Sequence, residues 1–475
     1  MTSGLFSKKS VDELLRSNDL DGEQGLEKSL GLVALIALGI GGIIGAGIFV
    51  LTGQAAATYA GPSITLSFIL AAIGCALCGL CYAEFASMIP IAGSAYTYAY
   101  ATLGELVAWI IGWDLILEYI FSCATVAVGW SGYIFSLLQD VGITIPAELA
   151  NPPLNLPAMF IIALMTVLQV IGLRQSTKVN NIIVVVKTLV VLLFIFGGFS
   201  YINQQNWFPF IPENTGEFGM FGWSGVLRGA GVVFFTYIGF DAISCAAQEA
   251  RNPQRDMPIA IMSSLLIATI LYIAVVLVLT GIVPYTELNV PDPIAVGVNA
   301  VGEGLRWLKP IVKIGAIAGM SSVIVVFILG QSRVFYAMAK DGLLPSQFAA
   351  IHPKFRTPYI ATILSGIAAM LLAGLLPIEI LGQLVSIGTL LAFLIVCIAV
   401  PVLRRTRPDL PRPFKTPLVP LVPILGALIS GLQMFSLPVD TWLRLIVWLA
   451  VGLLIYFTYG RQHSTLQKQR EQANE

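Results

Sequence analysis

The stretch Gly39-Ile-Gly41-Gly42-Ile-Ile-Gly45-Ala46-Gly47-Ile48-Phe49 sits inside an apolar run that starts near residue 31, and its reading decides the fold. Five glycines in nine residues destabilise a helix by about 1 kcal/mol each, yet the whole run is long enough to cross a bilayer. No strand precedes it, and the glycine spacing is not that of a dinucleotide-binding turn. Small residues of this kind let neighbouring helices pack closely. Clustered glycines also permit an unwound stretch whose freed amides meet a carboxylate at a half-helix N-terminus. The clustering favours unwinding.

The rest of the chain agrees with a membrane setting. It has 475 residues, 57% hydrophobic and 11% charged, with a mean hydropathy of +0.86. Soluble domains carry roughly 25% charged residues, so this chain cannot cover a soluble globule of its size. That excludes a soluble enzyme, a secreted disulfide domain and a disordered scaffold. With 26 basic and 26 acidic residues the net charge is zero, and there is no basic footprint for nucleic acid. The six cysteines all fall in apolar stretches. Cys75-x-x-Cys78-x-x-Cys81 has no histidine nearby and reads as small buried helix residues, not as a metal site. The polar, mixed-charge start through Lys28 does not read as a cleavable signal peptide.

Twelve apolar runs are each long enough to cross a bilayer: 31–58, 62–87, 104–136, 156–173, 179–198, 224–249, 258–283, 308–340, 358–376, 378–401, 418–437 and 439–460. Segments 94–103 and 292–302 read as short helices at opposite surfaces. The expected fold class is therefore an all-α polytopic membrane protein. It comprises an N-terminal segment 1–29, a transmembrane domain 30–460 and a tail 461–475. With the N-terminus inside, 19 of the 26 lysines and arginines fall on the cytoplasmic side, including Arg16, Lys28, Arg174 and Lys178. Only Arg306 and Lys309 fall outside, so both termini are expected in the cytoplasm. The first and sixth runs each carry an interruption, near 39–47 and 235–241. Two runs later in each half comes an unusually long one. Residues 31–198 and 224–401 thus read as two inverted five-helix repeats, with 418–460 appended, and paired interruptions point to a midplane transport site.

Few polar residues lie deep in these runs, and each demands a reason. Asp241 follows Gly239 in the sixth run, where it either faces a site or caps the second half-helix. The carbonyls of Phe235, Thr236 and Ile238 are positioned to accept from an ammonium. Asp114 and Glu118 share one helical face. Lys187 lies mid-run and must meet a carboxylate, a carbonyl cluster or water. Arg333 is expected to snorkel or to pair with Glu84. The only histidines, His352 and His463, lie in a loop and the tail, so proton coupling falls to Glu118, Lys187 or Asp241.

Gly45-Ala-Gly47-Ile-Phe49, Tyr237-Ile-Gly-Phe-Asp241 with Gln248-Glu249-Ala-Arg-Asn252-Pro253-Gln254-Arg255-Asp256, and Gly330-Gln331-Ser-Arg333-Val-Phe335-Tyr336-Ala-Met338-Ala-Lys340-Asp341-Gly342-Leu-Leu-Pro345 resemble the amino acid–polyamine–organocation permeases, nearest their cationic amino acid transporter branch and its bacterial relatives. The resemblance implies the LeuT-type five-plus-five inverted repeat. It implies a substrate α-amino acid with its carboxylate near Ile43, Ala46, Gly47 and Ile48 and its ammonium on carbonyls of Phe235, Thr236 and Ile238. Phe235 matches the family's gating aromatic. Lys187 matches a lysine whose amine stands where sodium-coupled cousins hold sodium, which favours protons over sodium. Glu118 and Asp241 match acidic positions in bacterial relatives. Ala46 replaces a hydroxyl residue common in relatives, and Met320 near the side-chain pocket favours small neutral side chains over arginine. The expected function is import of L-amino acids across the plasma membrane by proton-coupled alternating access, with exchange of amino acids or polyamines as the alternative. No enzyme chemistry, cofactor, metal, nucleic acid or obligatory protein partner is expected; the substrate, protons and the lipid bilayer are.

Overall fold

The computed structural model describes residues 4–11, 30–91, 93–143, 146–149, 152–172 and 176–474. Arg16, Lys28, Arg174 and most of the segment 1–29 lie outside them. Among the described residues, eight helical stretches are long and apolar enough to cross a membrane, and three shorter apolar helices accompany them. The first stretch, Leu32–Met88, is more than one helix. It comprises α1 (Leu32–Ile43), α2 (47–60) and, after a turn at Gly61, α3 (Ile64–Met88). There follow α4 (Glu105–Asp140), α5 (Leu156–Ile171), α6 (Ser176–Phe199), α7 (Gly222–Val233), α8 (Ala242–Cys245) and α9 (Pro253–Ile282). The series ends with α10 (Leu308–Lys340), α11 (Tyr359–Leu375), α12 (Ile378–Thr406), α13 (Leu421–Ser436) and α14 (Val439–His463).

Helix boundaries depart from the sequence reading where proline intervenes. Pro401 does not end α12, which runs five residues beyond the expected stop; a proline inside a helix removes one N–H and need not break a membrane helix whose neighbours support it. Pro253 instead starts α9 five residues early, because proline's fixed φ suits the first helical turn.

The outward helix faces are apolar. On α6, Ile182, Val185, Leu189 and Phe196 are exposed, and so are Leu443, Val447 and Leu454 on α14. These stripes repeat at helical spacing and give lipid a surface to cover. Polar groups turn inward. Residues 4–11, the short helix Ala95–Thr102 and the C-terminal helix Thr465–Asn474 share one face of the bundle, here called the terminal face. There Lys9 pairs with Asp341, which also accepts from Tyr96 Oη at 2.6 Å. Leu30 and Ala250 form an isolated parallel bridge, with Leu30 N–H donating to Glu249 O and Arg251 N–H to Leu30 O, each at 2.9 Å.

Arg333 does not pair with Glu84. Its guanidinium donates to Glu249 Oε1 at 3.0 Å, while Glu84 takes two bonds from Arg404, at 3.0 and 2.7 Å. The sequence reading missed this because Arg404 lies in the part of α12 beyond residue 401, outside the run as read from the sequence.

Candidate functional site

The site is built where two interrupted helices cross. α1 ends at Ile43, Ile44 is extended (φ −76°, ψ 95°), and helix resumes at Gly47. The break is thus shorter than the glycine cluster, and most glycines serve packing. A Cβ on Gly39 would lie 2.6 Å from Ile243 Cδ1, and one on Gly47 would lie 2.6 Å from Thr236 Cα. Both readings of the cluster therefore hold, each for different glycines. In the partner helix, α7 tightens into a 3₁₀ turn over Phe234–Tyr237, Ile238 is extended, and Gly239 has φ +119°. A Cβ there would lie 2.7 Å from the carbonyl carbon of Gly42. The two breaks meet backbone to backbone at Gly42 and Gly239, and at Gly47 and Thr236.

Interruptions leave carbonyls without helical partners, and an unpartnered buried one costs about 1–3 kcal/mol. Two side chains meet them. Lys187 Nζ, wholly buried on α6, donates to Gly41 O at 2.7 Å, Ile44 O at 2.8 Å and Ser322 Oγ at 3.2 Å. Of the surroundings open to Lys187, the carbonyl cluster is the one observed. Tyr272 Oη on α9 lies 2.7 Å from Ile43 O and 2.8 Å from Thr236 O, joining one break to the other. Tyr272 was not singled out in the sequence. Its signal was a tyrosine hydroxyl deep in an apolar run, which needs a polar partner when buried.

Ile43, Ala46, Gly47, Ile48, Phe235, Thr236 and Ile238 are all buried around this crossing. Met320 joins them through Gly129 on α4: a Cβ on Gly129 would lie 3.2 Å from Ala46 Cβ and 3.5 Å from Met320 Sδ. Phe235 O already accepts from Ile238 N–H at 3.2 Å, and Thr236 O faces Tyr272. One tyrosine proton serves one acceptor at a time, so Ile43 O and Thr236 O between them retain accepting capacity.

Asp241 does not cap α8 with its side chain. Its Oδ1 accepts from Gly239 N–H at 3.2 Å and its Oδ2 from Tyr119 Oη at 2.6 Å. It therefore braces the break from the side of α4. Glu118, fully buried on α4, faces Asp241 and Thr389; among the described residues neither of its oxygens has a partner in hydrogen-bond geometry.

On the face opposite the terminal one, a cavity of about 110 Å³ is lined by Gln54, Tyr59, Asn289, Glu379 and Gln383 with several apolar residues. Nearby, Lys313 on α10 donates to Asp140 Oδ2 at 2.5 Å, and Ser136 donates to Asp292, which leads into the short helix Pro293–Val301.

With this geometry in hand, three comparisons bear on the chain. The sequence profile of a family described as amino acid permease matches residues 30–458. A methylthioribose transporter of Bacillus subtilis is 47% identical over 98% of this chain and 100% of its own. The branched-chain amino acid permease BcaP of the same organism is 46% identical over 98% and 100%. A vacuolar cationic amino acid transporter 4 of Arabidopsis thaliana is 38% identical over 86% of this chain and 68% of its own. Among solved structures, MhsT in complex with L-phenylalanine superposes with a TM-score of 0.59 at 14% identity, covering 91% of this chain and 100% of that one; this likeness concerns the fold.

Proposed function

This chain belongs to the amino acid permease family, with links to its cationic amino acid transporters, and from that premise we propose that it imports an L-amino acid with protons by alternating access. It is an integral membrane transporter, not an enzyme. In our reading the described helices make twelve crossings as two inverted five-helix repeats plus α13 and α14. The terminal face lies in the cytoplasm of a cell whose plasma membrane holds the protein, as the excess of lysine and arginine on that side favours.

The observation that carries the reading is the crossing of the two breaks. A zwitterion places its carboxylate at the amides that open α2, from Ala46 through Ile48, where the helix dipole favours negative charge. Its ammonium takes the accepting capacity left on the carbonyls of Ile43, Thr236 and Ile238. The side chain then points toward Ala46, Gly129 and Met320, which supports an apolar substrate; BcaP, 46% identical, is named for branched-chain amino acids. Phe235 closes the site.

Lys187 uses three donors on three acceptors, the full complement of an ammonium. It fills a cation position and holds the break of α1–α2, leaving the moving proton to Glu118 and Asp241. Asp241 already has two donors; Glu118, which has none among the described residues, is a costly buried charge that a proton removes. Binding both substrate and proton shifts the protein between states by the difference in their affinities for each.

The test is uptake of radiolabelled leucine, alanine and arginine by proteoliposomes with and without an inward proton gradient, with methylthioribose as a competitor. Accumulation of an apolar amino acid that follows the gradient is the expected result. Equal rates with and without the gradient, together with counterflow, would establish exchange in place of symport.

A further inference from the structure

The interface between α4 and α12 holds polar atoms that neither the substrate site nor the packing uses. The two helices run antiparallel in a register fixed by two glycines. A Cβ on Gly382 would lie 4.0 Å from Thr125 Cγ2, and one on Gly388 would lie 3.0 Å from Asp114 Oδ1 and 3.2 Å from Leu117 Cβ. That register brings Thr389 to Glu118; Ser386 lies one turn from Thr389 on α12, and Ser122 one turn from Glu118 on α4.

On α12, Glu379, Gln383, Ser386 and Thr389 recur at intervals of four, three and three, which keeps them on one helical face. Their burial is graded: Glu379 is exposed, Gln383 half-buried, and Ser386 and Thr389 are fully buried. Glu379 and Gln383 line the cavity of about 110 Å³ on the face away from the termini, and Gln383 Oε1 accepts from Thr441 at 3.0 Å. The stripe thus descends from an open vestibule to Glu118.

A serine or threonine in a membrane helix ordinarily bonds back to the carbonyl one turn earlier. Thr125, Thr362 and Ser365 do so, at 2.7, 2.9 and 2.7 Å. The hydroxyls of Ser122, Ser386 and Thr389 do not; among the described residues they have no partner in hydrogen-bond geometry, and neither do the carboxyl oxygens of Asp114 or those of Glu118, which face Asp241 and Thr389. Five neighbouring side chains with unmet polar atoms, on two facing helices, are not what packing alone produces, since each unmet atom costs about 1–3 kcal/mol. Water satisfies such groups in protein interiors.

We propose that this seam is the path by which protons reach Glu118 from the vestibule, with Gln383, Ser386 and Thr389 as its lining. Three residues of helix rise about 4.5 Å, too far for one hydroxyl to reach the next, so one water spans each step. Each water and hydroxyl oxygen, Ser386 and Thr389 included, gains one O–H bond as it gives up another, while Gln383 only makes hydrogen bonds at the mouth; the last proton adds to a Glu118 oxygen, and no bond other than these O–H bonds changes. Around Glu118 stand Asp241, Asp114, Tyr82, Tyr119 and Cys245, and at the mouth Glu379, Tyr59 and Arg228. The inference rests on the proton-coupled reading and adds the route.

The experiment compares wild type with Thr389→Val, Ser386→Ala and Thr389→Ser in proteoliposomes. It reads proton-driven accumulation, counterflow exchange and the substrate-induced rise in Tm. Thr389→Val and Ser386→Ala are expected to lower proton-driven accumulation at least fivefold, with exchange and the Tm shift within twofold of wild type. Thr389→Ser, which keeps a hydroxyl, is expected to accumulate like wild type. Undiminished accumulation in Thr389→Val and Ser386→Ala overturns the route, and so does a parallel loss of exchange and binding, which would mark a structural role. A wild-type protein that ignores the gradient defeats the coupling itself, and needs no variant to show it.

Discussion

The crossing of the broken helices and the α4–α12 seam lie side by side, and they treat buried polar atoms in opposite ways. At the crossing, carbonyls freed from helices are met by Lys187 and Tyr272. At the seam, hydroxyls that could have bonded to their own backbone, and the carboxyls beside them, have no partner in hydrogen-bond geometry among the described residues. The first arrangement holds a shape that helix propensity opposes. The second leaves room for a proton to arrive and leave without breaking anything.

If that contrast is right, substitutions at the crossing cost stability and substitutions at the seam cost coupling. Lys187→Met should have the largest effect, orphaning the carbonyls of Gly41 and Ile44 at about 1–3 kcal/mol each. A marked fall in Tm with loss of ligand binding is expected, and an unchanged Tm would break the comparison. Gly239→Ala should follow, because a residue at φ +119° pressed on Gly42 costs about 3 kcal/mol in strain and displaced backbone; thermal unfolding in detergent measures it. Tyr272→Phe loses a single hydroxyl shared by two breaks and should cost about 1–3 kcal/mol, with weaker substrate binding by calorimetry. The smallest stability effect belongs to Glu118→Gln, which removes no hydrogen bond. It should stay within about 1 kcal/mol of wild type while proton-driven accumulation disappears. A large drop in Tm for that variant would mean that Glu118 braces the fold.

Much of this was legible in the residues. Hydropathy located the apolar runs, and the 33 residues of Leu308–Lys340 match the expected limits. The glycine cluster and Gly239 located both breaks. What stayed hidden were pairings between helices far apart in sequence. Arg404 and Glu84 are 320 residues apart, and no local pattern announces such a partner. Tyr272 escaped notice because a single tyrosine in an apolar run looks like core until its hydroxyl is followed to an acceptor. The stripe on α12 escaped for a different reason: serine and threonine in a membrane helix look inert until their hydroxyls are seen to decline the backbone.

The bridge between Leu30 and Ala250 ties the entry of α1 to the residues just past α8 by two amide protons, those of Leu30 and Arg251. If import proceeds as proposed, both sit toward the face where cargo leaves, and neither belongs to a helix. An opening there that separates the two strands exposes both amides at once, and one that moves them together exposes neither. Their hydrogen-exchange rates therefore act as a clock for that opening, read with no substrate and no reporter group attached.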